Sequence, residues 1–159
     1  MKVLIIGQGI AGSCLAWELK RRGADFTIAD RPLAETASRV AAGRVNPLTG
    51  RAFRPGWRQE ECFSALSSFY PETERELGGS WWQKTPIFRE LETEDQLEIW
   101  QERQTAPESC SYAGPLFPWP EPWEGKGQAA YTRGSGVLHV ETMVNAMRRS
   151  FPAEGRFVE

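Results

Sequence analysis

The sequence predicts an α/β protein opening on a parallel sheet, and three observations carry that prediction. An apolar run, Val3-Leu4-Ile5-Ile6, is cut short by Gly7. After it, Ala11, Cys14, Leu15 and Leu19 recur at helical spacing, and Lys20-Arg21-Arg22-Gly23 supplies cations and a glycine stop at the carboxyl end. A second run, Phe26-Thr27-Ile28-Ala29-Asp30, then reads as another strand. Strand, helix and strand over residues 2–30 make one βαβ unit, and its continuous apolar runs predict strands buried on both faces.

The first strand-to-helix junction carries Gly7-x-Gly9-x-x-Gly12, with Asp30 eighteen residues beyond the last glycine. In a dinucleotide-binding unit the first glycine permits the tight turn, the second lets backbone amides approach a pyrophosphate, and the third lets helix and strand pack closely. An acid about 20 residues further on holds the adenosine ribose. The first helical turn has no Asp or Glu, although helices favour acids there, so its positive end is available to a phosphate. A dinucleotide site is the expectation, with Arg31 leaving a 2′-phosphate open as one form of it.

Beyond Asp30 the chain enters a small, basic, turn-rich stretch through Arg51 instead of the next helix and strand of a simple doubly wound sheet. Cys62, Ala65, Leu66, Phe69 and Tyr70 predict an amphipathic helix, and Pro71 is expected to open a separate short one ending at Gly78-Gly79. Trp81–Lys84 and Pro86–Arg89 read as strands, and 92–104 as an acidic helix showing Leu97 and Trp100 on its apolar side. Pro107 to Gly127 reads as a loop with aromatic anchors. After Gly134-Ser135-Gly136 a short strand is expected. Val140, Met143, Val144, Met147 and Phe151 then mark a helix with one buried face, ended by Pro152 and Gly155, and Arg156–Glu159 reads as a further strand.

Composition bounds the function. The chain has 159 residues, 40% hydrophobic and 25% charged, with fifteen glycines and eleven prolines, as in ordinary globular proteins. The opening apolar run is too short for a signal-peptide core or a membrane span, so a cytoplasmic protein is expected. Cys14, Cys62 and Cys110 form no C-x-x-C pair and His139 stands alone, so neither a disulfide framework nor a metal site is expected. One histidine also leaves no Ser-His-Asp or Cys-His grouping. Residues 1–58 carry ten Lys/Arg against four Asp/Glu, and the remainder nine against seventeen. An anionic ligand is therefore expected near the first third, and no nucleic acid near the rest. Trp57, Trp81, Trp82, Trp119 and Trp123 are read as core residues, or as pocket lining for a minority of them.

GQGIAG, Asp30-Arg31, SRVAAGRVNPLTGR and GSGVLHVETMVNAM resemble the FAD-dependent oxidoreductases of the D-amino-acid oxidase and glycine oxidase family. The resemblance is strongest over 1–51, weaker over 58–132 and intermediate over 133–159. It implies an α/β fold: a Rossmann-like FAD-binding domain of the glutathione-reductase-like βαβ type, with an inserted α+β substrate domain, apparently truncated. Residues 1–58 would be the FAD-binding βαβ and flavin loop, 59–132 a partial substrate-side domain, and 133–159 the return to the FAD-binding domain. By position, Gly7, Gly9, Ile10, Ala11, Gly12, Asp30 and Arg31 would bind FAD, with Ser38, Ala41, Ala42 and Gly43 in the small-residue loop beneath it. Asp30 stands where many members have Glu, and Arg44 where many have an apolar residue.

The implied activity is oxidation of a C–N bond of an amino acid or amine by hydride transfer to flavin, with no catalytic residue assigned. Arg51 and Arg54 are candidates for a substrate carboxylate. Flavin-dependent tRNA modification and a non-catalytic NAD(P)- or FAD-binding module stay open as alternatives. Family members are roughly twice this long, so the chain is expected to need a missing C-terminal half or a homo-oligomer to complete its sheet.

Overall fold

The computed structural model describes residues 2–31, 36–119, 122, 125, 127–153 and 157–158. Its first elements are β1 (Lys2–Ile6), α1 (Ile10–Arg21), β2 (Asp25–Ala29), β3 (Arg44–Val45), β4 (Leu48–Thr49) and β5 (Arg54–Pro55). Next come α2 (Gln59–Leu77), β6 (Trp82–Lys84), β7 (Ile87–Leu91) and α3 (Glu94–Thr105). The chain continues through β8 (Ala113–Phe117), β9 (Gln128–Thr132), β10 (Gly136–Leu138), α4 (Val140–Ala153) and β11 (Phe157–Val158). Packing divides it into two units: Met1–Gly43, Phe69–Trp81 and Leu138–Glu159, and then Arg44–Ser68 with Trp82–Val137.

The first unit is built on a parallel sheet of order β1-β2-β11. Opposed residues in a parallel pair share a face, so Val3 and Ile5 of β1 lie with Phe26 and Ile28 of β2. That face is covered by α1 and α4. Phe151 meets the Trp17 and Phe26 rings edge-on at 6.4 and 6.0 Å, and Val140, Met143, Val144, Met147 and Phe151 are all buried, as the periodicity predicts.

Three expectations for this unit need correction. Leu4 and Ile6 on the other face of β1 are 61% and 84% exposed, because α1 and α4 cover the opposite face; among the described residues the strand is not buried on both faces. The buried stripe of α1 is Ser13, Ala16 and Trp17, whereas Leu15 is exposed. A helix lying close on a sheet turns small residues toward it, and apolar periodicity alone misses that choice. The helix expected to restart at Pro71 is continuous from Gln59 to Leu77. Pro71 and Ser67, whose carbonyl loses its amide partner, both sit on the exposed side, where water can replace the missing bond.

The second unit holds an antiparallel sheet of order β7-β9-β8, a small sheet β3-β10-β6 and the β4–β5 hairpin. Its core gathers Leu48, Phe53, Leu91, Trp100, Ala113 and Ala130. Thr93 caps α3 by accepting the Gln96 amide at 3.3 Å, and α3 is tied to β8 where Trp100 Nε1 and Gln104 Nε2 donate to the Gly114 carbonyl at 3.1 and 2.7 Å. The expected 107–127 loop contains β8, a strand that includes Pro115. Pro115 is tolerated because β8 is an edge strand whose register shifts between Ala113 and Leu116. Strand β9 carries no apolar alternation; its Ala129 and Ala130 are buried in the central strand between β7 and β8.

Of the tryptophans singled out, Trp81 is core, Trp57 is exposed and Trp82 is half-buried, while Trp123, like Pro32–Glu35 and Gly155, lies outside the described residues. Among the described residues no helix is long and apolar enough to cross a membrane, and no three His, Cys, Asp or Glu gather as a metal site.

Candidate cofactor site

The glycine turn forms where β1 hands over to α1. Gly7 has φ +90°, a conformation that side chains resist, and its amide donates to the Ala29 carbonyl at 2.8 Å, which fixes the turn to the end of β2. Gly9 is the N-cap of α1 and offers no side-chain cap, and the first turn holds no acid. A Cβ on Gly12 would collide with the Gly7 carbonyl oxygen, so only glycine lets the helix start this close to the turn. Gly7 thus bends the chain, Gly9 caps α1 without a side chain, and Gly12 admits close packing.

Ser38 is brought to the same helix end. Its Oγ accepts the Ile10 amide at 2.9 Å and would stand 2.9 Å from a Cβ on Gly9. Ala11, Ala41 and Ala42 are exposed, and Gly43, at φ +63°, leaves no room for a Cβ beside the Leu138 carbonyl. Arg31 is exposed just past Asp30. Asp30 itself follows β2 and is held by α4: Arg148 Nη2 donates to its Oδ2 at 2.6 Å, and both side chains are 19% exposed. Oδ1 accepts no hydrogen bond from the described residues.

Sequence reasoning missed several residues here. Gln8, between the first two glycines, is 2% exposed, and neither its amide nitrogen nor its oxygen has a partner among the described residues. Ser13 is also buried with its hydroxyl unpaired. Such buried orphan groups are costly unless something satisfies them. Arg148 lies more than a hundred residues from Asp30 in the chain and Arg39 as far from Asn145, to whose Oδ1 it donates at 3.3 Å; no local pattern signals either pair. Cys14, in the second turn of α1, is not a thiolate candidate: burial, aided by Glu18, pushes its pKa up to about 11.

Arg51 and Arg54 lie exposed at the β4–β5 hairpin. His139 is exposed, and its backbone is what matters structurally: its amide donates to the Trp81 carbonyl at 2.8 Å and its carbonyl accepts the Met143 amide at 3.1 Å.

A positive helix end without acids beside a glycine turn, with an acid closing the second parallel strand, is an arrangement that suits a dinucleotide in a Rossmann-type fold. The chain belongs to the family described as DAO, FAD dependent oxidoreductase, whose model matches residues 2–159. It has an α/β fold shared with several solved structures. It is similar to iminodiacetate oxidase from Chelativorans sp. BNC1, with 23% identity and a TM-score of 0.73, over 99% of this chain and 46% of that one. It is similar to glycine oxidase from Bacillus cereus, with 22% identity and a TM-score of 0.69, over 99% and 46%. An L-amino acid deaminase from Proteus myxofaciens aligns at 19% identity and a TM-score of 0.69, over 98% and 36%. The chain thus spans less than half the length of these proteins. No curated protein gives a match.

FAD is the cofactor of this family, and the residues present fit it. The acid-free end of α1 suits a diphosphate, Asp30 Oδ1 suits a hydroxyl donor, and Gln8 and Ser13 hold polar atoms with no partner among the described residues.

Proposed function

We propose that the protein oxidises a C–N bond of a small amino acid or amine, in the cytoplasm, with FAD as hydride acceptor. The single observation that carries the cofactor half of this reading is the acid-free N-terminus of α1, which opens on the glycine turn with the Ser38 hydroxyl on its Ile10 amide, at the strand ends that also carry Asp30. Amides of Ile10 and Ala11, with Gly7, Gly9 and Gly12, would hold the pyrophosphate; Asp30 would accept the ribose hydroxyls with Arg31 beside the adenosine. Ser38, Ala41, Ala42 and Gly43 would pass beneath the dinucleotide. FAD, when bound, supplies the two-electron acceptor for hydride removal.

What this chain contributes is position. Arg148 keeps Asp30 aimed, since its guanidinium donates to Oδ2 at 2.6 Å. Ser38 closes the Ile10 amide until a phosphate oxygen competes for it. In functional terms 1–58 and 133–159 form the cofactor side and 59–132 the substrate side, although packing groups Arg44–Ser68 with the second unit. The acidic balance of 59–159 supports a small-molecule substrate over RNA.

The test is an absorbance spectrum of the purified full-length protein, followed by anaerobic addition of amino acids and amines. A flavin spectrum that bleaches with one of them supports the proposal. A colourless protein that retains NADPH rejects it.

A further inference from the structure

The second unit contains a cavity of about 350 Å³, within the range of small-ligand sites. Its walls are mainly apolar: Ile87 and Phe88 from β7, Val137 from β10, and Trp119. Phe88 is tied to Phe117 and Tyr131 by edge-on ring contacts at 5.5 and 5.8 Å, so its position is set while part of its ring stays open. Arg44 is the one charged residue among the described residues that line the cavity.

Arg44 is placed there by strand pairing. Arg44 of β3 and Val137 of β10 are directly opposed in an antiparallel pair, so their side chains leave the ladder on the same face. The adjacent Gly136 locks the register, because a Cβ there would run into the Trp82 ring of β6. Arg44 has no carboxylate partner among the described residues. The charge it does influence is another cation: burial first, and Arg44 second, lower the pKa of Arg89. Arg89 is engaged elsewhere, donating to the Leu48 carbonyl at 2.9 Å and lying over the Phe53 ring at 4.9 Å. A guanidinium with no carboxylate partner among the described residues, at the edge of an apolar hollow, attracts a planar anion and repels an ammonium group.

We propose that this cavity binds an amphipathic monoanion, an aryl or branched-alkyl carboxylate, with Arg44 on the carboxylate and Phe88 and Trp119 against the apolar body. The site is built wholly within the second unit and does not depend on the cofactor reading.

Calorimetric titration of the full protein with phenylacetate, phenethylamine and acetate tests it. Phenylacetate carries ring and charge, phenethylamine the ring with the opposite charge, and acetate the charge alone. Phenylacetate is expected to bind at least tenfold more tightly than either. Arg44→Gln is expected to weaken phenylacetate at least tenfold, with Arg44→Lys intermediate because the two-point contact is lost but the charge kept. Val137→Trp, which fills the hollow and leaves Arg44 in place, is expected to abolish binding.

Circular dichroism checks the fold of each variant, and Arg44→Lys carries the test if Arg44→Gln does not fold. Equal binding of phenylacetate and phenethylamine, no binding of phenylacetate, or unchanged affinity in a folded Arg44 variant would overturn the proposal. FAD retention, read from the flavin spectrum of the same samples, separates failure here from failure of the cofactor site.

Discussion

Arg148 Nη2 lies 2.6 Å from Asp30 Oδ2, pinning the end of β2 to α4 with both side chains largely buried. The pair serves fold and site together, and its two members should therefore fail differently. Arg148→Met leaves a carboxylate in a sheltered place with its partner gone, and is expected to cost about 1–3 kcal/mol in urea denaturation. Asp30→Asn keeps the shape and removes the charge that a ribose would use. FAD affinity, followed by quenching of flavin fluorescence, is expected to fall at least tenfold.

A glycine needed for close packing differs from one needed only for a left-handed backbone. Gly23 has φ +64° and open space around a Cβ, so Gly23→Ala is expected to cost only about 1 kcal/mol of strain. Gly12→Ala places a methyl group inside the Gly7 carbonyl and must push α1 away from the sheet. A loss of more than about 3 kcal/mol, together with loss of flavin, is expected from denaturation midpoints and spectra.

Ser38 supplies the hydroxyl that α1 lacks at its own N-cap. Ser38→Ala should cost about 1 kcal/mol by leaving the Ile10 amide without its acceptor. Thermal melts with and without FAD check this, and the cofactor is expected to recover part of the deficit by taking over that amide.

The cysteines should separate by burial. Cys14 is held protonated up to about pH 11, whereas Cys62 and Cys110 are exposed, so iodoacetamide at pH 8 is expected to label the latter two and spare Cys14. The same burial makes stability depend on alkali. Cys14 rises from 9.0 to about 11 and Tyr70 from 10.0 to about 12, mainly by desolvation. Between those limits the unfolded chain has released protons that the folded chain retains, so stability is intact below about pH 9 and declines as pH rises through 9–12. Cys14→Ser should flatten the early part of that decline in denaturation curves recorded at pH 8 and pH 10.

Much of the first unit was legible because it obeys local rules. The interruption of Val3–Ile6 by glycine, the cations before Gly23 and the 3.6-residue period from Val140 to Phe151 each report a nearby physical constraint. The inward face of α1 was not legible, since Ser13 and Ala16 are chosen for closeness to the sheet and not for hydrophobicity. The glycine turn and Asp30 could be located from spacing, but the partners that organise them could not. Ser38 reaches Ile10 across 28 residues and Arg148 reaches Asp30 across 118, distances at which only the folded chain brings residues together. In the second unit, Pro115 disguised a strand because a single residue type outweighed its neighbours in the local pattern.

The outward side of β1 has a consequence for handling the protein. Leu4 and Ile6 project outward from a strand that, among the described residues, pairs with β2 alone, and Lys2 is the sole charge along it. Such a rail invites edge-to-edge stacking between molecules at millimolar concentration. Leu4→Lys would act as a gatekeeper, and light scattering should show particles disappearing while the circular dichroism spectrum stays the same.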